Sequence, residues 1–123
     1  MIFDELSNKI IESAIEVHKY LGPGLLESAY EQCLAYELTQ RKIQFKLQQP
    51  LPVLYKAINL DCGYRIDVLV EDKLIIELKS VETLLPIHEA QLLTYMKLAK
   101  IKIGLLINFN VRRLKDGLKR FVL

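Results

Sequence analysis

Two segments with helical apolar spacing, a central run with strand-like alternation and a late, short, β-branched apolar segment predict one soluble α/β domain spanning residues 1–123. The length of 123 residues suits a single hydrophobic core, and 51% hydrophobic with 26% charged residues excludes a disordered or collagen-like chain. Seventeen Lys and Arg against 15 Asp and Glu leave a formal charge of +2, which permits a polyanionic partner without demanding one. Cys33 and Cys62 lie far apart and outside any C-x-x-C spacing. That argues against a zinc ribbon, an iron-sulfur cluster or a disulfide framework, and a reducing cytoplasm fits best. The first residues, MIFDELSNKI, place Asp4 and Glu5 before any basic residue and hold no apolar run of signal-peptide length. Apolar stretches such as Ile103 to Ile107 are too short to cross a bilayer, so a cytoplasmic protein with no membrane partner is expected.

From about Phe3 to Leu21, Ile10, Ile11, Ala14, Ile15, His18 and Leu21 recur at three- and four-residue spacing, with Glu12, Glu16 and Lys19 between them. This is the pattern of an amphipathic helix. Gly22-Pro23-Gly24 ends it, because proline lacks a backbone donor and glycine tolerates the conformations of helix ends. A second helix is expected from Leu25 to Arg41, with Leu26, Tyr30, Cys33, Leu34 and Leu38 inward. The period then changes, and three strands are expected: Ile43 to Tyr55 with a break at Pro50 and Pro52, Leu60 to Val70, and Lys73 to Lys79. The prolines make the first an edge or bulged strand. After a loop through Glu82 to Pro86, helical spacing returns over Ile87 to Lys100. Ile101 to Ile107 reads as a buried strand, and the basic tail carries a final strand at Lys119 to Val122.

Chemistry concentrates in Leu74-Ile75-Ile76-Glu77-Leu78-Lys79, where two charges sit among residues that announce burial. Alternation puts Glu77 and Lys79 on the same strand face. A three-residue turn at Glu71 to Lys73 pairs Val70 with Leu74, and counting back sets Asp67 opposite Glu77 and Arg65 opposite Lys79. A two-residue turn would instead put Asp67 opposite Ile76 and send the carboxylates to opposite faces. Directly opposed side chains have Cβ atoms about 4.5 to 5.5 Å apart, a distance at which like charges destabilise a hairpin. A divalent cation would offset that repulsion, since Mg²⁺ or Mn²⁺ is held by one or two carboxylates together with water and phosphate oxygens. The competing reading is a solvated hairpin face on which Arg65 and Lys79 neutralise Asp67 and Glu77. Glu27 or Glu31 offers a further carboxylate just after the glycine break, although a Glu near a helix start is favourable without any function. Gln91 and Tyr95, four residues apart, share a helix face and could position a nucleic-acid strand or a phosphate.

Taken in order, Gly24-x-x-Glu27-x-x-Tyr30, Asp67, Glu77-x-Lys79 and Gln91-x-x-x-Tyr95 resemble the GxxExxY family and, as a series, the RecB-like branch of the PD-(D/E)XK nuclease superfamily. The resemblance runs from the first helix to Leu114 to Gly117; Ile66 stands where the superfamily name has proline. It implies a restriction-endonuclease-like core, a central mixed β-sheet flanked by helices, with a Mg²⁺- or Mn²⁺-dependent phosphodiesterase site at the hairpin. In that reading Glu27, Asp67 and Glu77 are metal ligands, joined by the Leu78 carbonyl. Lys79 then serves the attacking water, so that Asp67, Glu77 and Lys79 form the catalytic set, with Tyr30, Gln91 and Tyr95 as supporting or substrate-binding residues.

The expected activity is hydrolysis of DNA by a metal-activated water, with a homodimer or a partner protein completing the substrate groove. Two alternatives share the residues: a weakly catalytic or non-catalytic nucleic-acid-binding or regulatory module, and an enzyme acting on another phosphate ester. His18 lies on the apolar face of its helix and reads as a satisfied core histidine rather than a further ligand, while His88 reads as solvated. Arg112, Arg113, Lys115, Lys119 and Arg120 could add salt-dependent phosphate affinity or simply solubility. No helix-turn-helix, zinc finger or aromatic stacking platform is evident, so base-sequence recognition is not indicated.

Overall fold

The structure, a computed structural model, describes residues 4–123. Helix α1, Glu5–Leu21, begins at Asp4, whose carboxylate accepts from the Ser7 N–H at 2.9 Å and the Ser7 hydroxyl at 2.7 Å. The expected start at Phe3 falls outside the described residues. Gly22, with φ 69°, ends the helix and donates to the His18 carbonyl at 2.8 Å. His18 is buried, and its Nε2–H donates to the Val111 carbonyl at 2.7 Å, as a satisfied core histidine should.

Helix α2, Glu27–Gln40, buries Tyr30, Leu34 and Leu38, with Cys33 half-buried. Leu26, expected on this inner face, is 77% exposed. It precedes the helix in extended conformation (φ −72°, ψ 153°), so helical spacing does not govern where its side chain goes.

The strands are β1 (Phe45–Pro50), β2 (Val53–Tyr55), β3 (Ile58–Leu60), β4 (Arg65–Val70), β5 (Leu74–Lys79), β6 (Ile103–Asn108) and β7 (Leu118–Val122). The first two expected strands each divide into two. Pro50 has no N–H with which to extend a ladder, so β1 ends there and β2 pairs with β3 in a separate two-stranded sheet. Between β3 and β4 the chain turns at Gly63 (φ 80°), whose N–H donates to the Asp61 carboxylate at 3.0 Å. The central sheet has the order β1-β4-β5-β6-β7, with β1 on an edge as its proline required. Only β5 and β6 run parallel, joined through α3 (Pro86–Ala99). His88 is half-buried rather than solvated, and its Nδ1 caps α3 by accepting from the Leu85 N–H at 3.0 Å.

Alternation along β5 and β6 builds two cores. Leu74, Ile76, Leu78, Leu105 and Ile107 pack with α1 and α2, whereas Ile75 and Leu106 pack with Leu92, Tyr95 and Met96 of α3. Gly104 permits the close approach of α3, since a Cβ there would lie 2.5 Å from the Met96 sulfur. The result is the expected mixed five-stranded sheet flanked by helices. Among the described residues no helix is long and apolar enough to cross a membrane.

Candidate active site

The β4–β5 hairpin turns through Glu71 (φ 51°) and Asp72 (φ 53°), and Lys73 N–H closes it on the Val70 carbonyl at 2.9 Å. Val70 pairs with Leu74, the register of the three-residue turn. Ladder pairing continues to Val68 and Ile76 and then stops, so Arg65 and Lys79 are not a ladder pair as expected. The carboxylates occupy the place of the missing ladder bonds. The Asp67 N–H donates to Glu77 Oε1 at 3.3 Å, and the Leu78 N–H donates to Asp67 Oδ2 at 2.9 Å. The expected meeting of Asp67 with Glu77 therefore occurs, through side chain and backbone rather than across a regular rung.

Glu77 is only 4% exposed. Burial, followed by the neighbouring Asp67 charge, pushes its carboxyl up to about 9, against the pull of the Asp67 N–H and of Lys79. A carboxyl shifted this far favours its protonated form at neutral pH in the absence of a cation. By alternation Glu77 and Lys79 lie on the Ile75 face, toward α3.

Helix α2 presents its first residue, Glu27, and then Ser28 and Glu31 to a cleft of about 130 Å³ that Gln48, Asp67 and Leu78 complete. Burial raises the Glu31 carboxyl, the Gln48 amide pulls it back, and the charges of Asp67 and Glu27 push it up again. Gln48 Nε2 donates to Glu31 Oε1 at 2.6 Å and, more weakly, to Asp67 Oδ1 at 3.4 Å. The start of α2 is tied to the site by backbone contacts. Tyr30 Oη donates to the Gly22 carbonyl at 2.6 Å and accepts from the Leu25 N–H at 3.2 Å, while Ser80 Oγ donates to the Leu25 carbonyl at 2.5 Å. Tyr30 itself is fully buried, stacked on Phe109 with ring centroids 4.4 Å apart. It offers no surface for contact, and its hydroxyl holds the loop that precedes Glu27.

From α3, Gln91 Nε2 donates to Tyr95 Oη at 2.9 Å. Neither residue is hydrogen-bonded to Lys79. Burial raises the Tyr95 hydroxyl, Gln91 opposes this, and the charges of Glu77, Tyr64 and Asp67 add to it. Buried Asn108 fixes the exit from β5: its side chain accepts from the Val81 N–H at 3.1 Å and donates to the Val81 carbonyl at 2.9 Å.

Gln48 and Asn108 were not evident from the sequence. Gln48 reads as an ordinary polar position of an alternating strand, yet its φ is 51°, in a strand interior where such an angle costs a non-glycine residue about 1 to 2 kcal/mol. Gln48→Gly is therefore expected to leave thermal stability unchanged or raised, by up to about 1 kcal/mol, while the Glu31 carboxyl titrates higher without its amide partner. Melting curves and an NMR titration of Glu31 check this. A lower melting temperature with Glu31 unmoved would show that Gln48 acts through the strand and not through its amide.

Among the described residues, no group of three or more His, Cys, Asp or Glu side chains is gathered as a metal shell. The donor chemistry nevertheless fits a hard divalent cation. Asp67 and Glu77 meet as oxygen donors, Mg²⁺ commonly takes one or two carboxylates, and the carboxyl pair is short of positive charge.

A mixed five-stranded sheet covered by helices, with Asp67 and Glu77-x-Lys79 on adjacent strands, defines a restriction-endonuclease-like protein. A family model described as the PD-(D/E)XK nuclease superfamily matches residues 4–121. The chain belongs to that superfamily, whose membership suggests a nuclease acting on nucleic acid. No curated protein and no solved structure gives a significant match.

Proposed function

We propose that the protein is a divalent-metal-dependent nuclease of the RecB-like, GxxExxY type that hydrolyses phosphodiester bonds of DNA, with residues 1–123 acting as one domain. The observation that carries this reading is the pairing of Asp67 and Glu77 at the end of the hairpin, where each carboxyl accepts from a backbone N–H of the other's strand, with Lys79 on the face of Glu77. Asp67, Glu77 and the Leu78 carbonyl would hold Mg²⁺ or Mn²⁺, with Glu27 lining a cleft beside Asp67 and Leu78 from α2. Such a cation, when bound, polarises a phosphoryl oxygen and makes water acidic enough to attack at neutral pH. Lys79 orients the attacking water and balances negative charge on the phosphate. Gln91 and Tyr95 present an amide and a phenol to the substrate from α3. A second copy of the chain or a partner protein would extend the short groove along the nucleic acid.

Incubation with linear duplex and single-stranded DNA, with and without Mn²⁺ or Mg²⁺, tests the proposal. Cleavage that requires metal is expected. A second reading, a binding module with little turnover, shares the same residues. Metal bound in an Asp67-dependent way without cleavage would support that module and overturn the enzyme.

The titration of Glu77 carries its own prediction. A cation must displace the Glu77 proton, so metal affinity should rise about tenfold per pH unit up to about 9 and level off above it. Calorimetry at pH 7 in buffers of different ionisation enthalpy should record close to one proton released per Mn²⁺. Affinity independent of pH between 6 and 9 would exclude Glu77 as a ligand.

A further inference from the structure

We propose that the groove between α3 and the base of the β2–β3 hairpin receives an unpaired nucleobase beside the scissile phosphate, which makes single-stranded or frayed nucleic acid the substrate class. The position of the phosphate rests on the nuclease reading above; the groove itself does not.

The groove encloses about 580 Å³, ample for a base and part of its sugar. Ile87, Gln91, Tyr95 and Leu98 form one stripe along α3, and Val53 and Tyr64 close the opposite side. No carboxylate lines it, so nothing there repels a polyanion. The Tyr64 and Tyr95 rings meet edge to face, with centroids 6.0 Å apart and planes at 64°. Tyr64 remains 45% exposed, which leaves ring surface for a stacking base. Gln91 and Thr94 supply amide and hydroxyl groups for a base edge without restricting which base enters.

Tyr95 relates the groove to the carboxylate site, although Asp67, Glu77 and Lys79 do not line it. Tyr95 packs in the same core cluster as Ile75, on the sheet face that Glu77 and Lys79 share. At the rim, exposed Arg65 donates to the Tyr64 carbonyl at 2.9 Å and sets a cation beside the stacking ring for a neighbouring phosphate. Bases within a duplex are already stacked on both faces, so only an unpaired base offers a face to Tyr64. Tyr64 lies in the loop before β4 and Tyr95 on α3, which is why no stacking platform is visible along the chain.

The test is fluorescence anisotropy of labelled oligo(dT) and of a duplex of equal length, with metal chelated so that neither is cut. Wild-type protein should bind oligo(dT) more tightly than duplex. Tyr64→Ala should weaken oligo(dT) binding about tenfold and leave duplex binding within about twofold. Tyr64→Phe should retain the affinity, because stacking needs the ring and not the hydroxyl. Equal affinity for both forms, no binding of either, or an unaltered Tyr64→Ala variant overturns the inference. Tyr64-dependent oligo(dT) binding in a protein that never cleaves would sustain the groove and refute the nuclease. Metal-dependent duplex cleavage with Tyr64-independent binding would do the reverse.

Discussion

Lys79→Ala should lower metal-dependent cleavage by at least about 10²-fold, the effect of removing one positioned charge or proton-transfer group from a phosphoryl-type site. Lys79 lies at the end of β5 and is not part of either core, so the variant should fold and melt close to wild type. Asp67→Asn should lose at least as much activity while behaving differently in stability. It keeps the volume of the side chain but removes the negative charge that helps hold Glu77 protonated. Glu77 then ionises at lower pH. The sign for wild type follows from its raised pKa. The stabilisation from protonated Glu77 is complete below the ordinary value of 4.5 and declines as pH rises from there toward about 9. Removing the like charge should therefore make Asp67→Asn relatively more stable than wild type in mildly alkaline, metal-free buffer. Single-turnover cleavage rates and melting curves at pH 6 and pH 9 measure both halves. Wild-type cleavage that persists in either variant would refute the assignment of the hairpin residues.

The second large effect concerns the scaffold. Tyr30→Ala should cost about 3 to 5 kcal/mol, because it empties a fully buried aromatic site beside Phe109 and strips two hydrogen bonds from the Gly22–Leu25 turn. For a domain with a typical stability of about 5 to 15 kcal/mol, that is a large fraction of the total. Tyr30→Phe separates the contributions. It retains the stacked ring and removes only the hydroxyl, leaving the Gly22 carbonyl without that donor at a cost of about 1 to 3 kcal/mol. Urea denaturation midpoints test both variants. The same Tyr30→Phe change should loosen the start of α2 and weaken any metal affinity that depends on Glu27. A Tyr30→Phe variant as stable as wild type would mean that the turn is held by Ser80 alone.

Much of the architecture was legible from periodicity because burial is periodic. Ile10, Ala14 and His18 mark one face of α1, although Ile15, read on the same face, is 37% exposed, and the apolar run of β6 marks a strand buried on both sides. The hairpin register was legible only as one of two turn lengths, and the structure adopts the three-residue turn that pairs Val70 with Leu74. Leu26 and the divided strands were less legible. A residue just outside a helix escapes its spacing, and whether a proline bends a strand or ends it depends on what lies beside the strand.

The candidate set Glu27, Asp67, Glu77, Lys79, Gln91 and Tyr95 could be proposed from the amino-acid order because its motifs are local and, in series, resemble those of the superfamily. The tertiary structure decided how those residues meet. It raised the Glu77 carboxyl through burial, twisted Gln48 into a positive φ to bridge Glu31 and Asp67, and joined Tyr64 to Tyr95 above a groove. None of these has a periodic signature. Each arises where elements remote in sequence pack together, so that burial and neighbouring charge are set by the partner element rather than by the local chain.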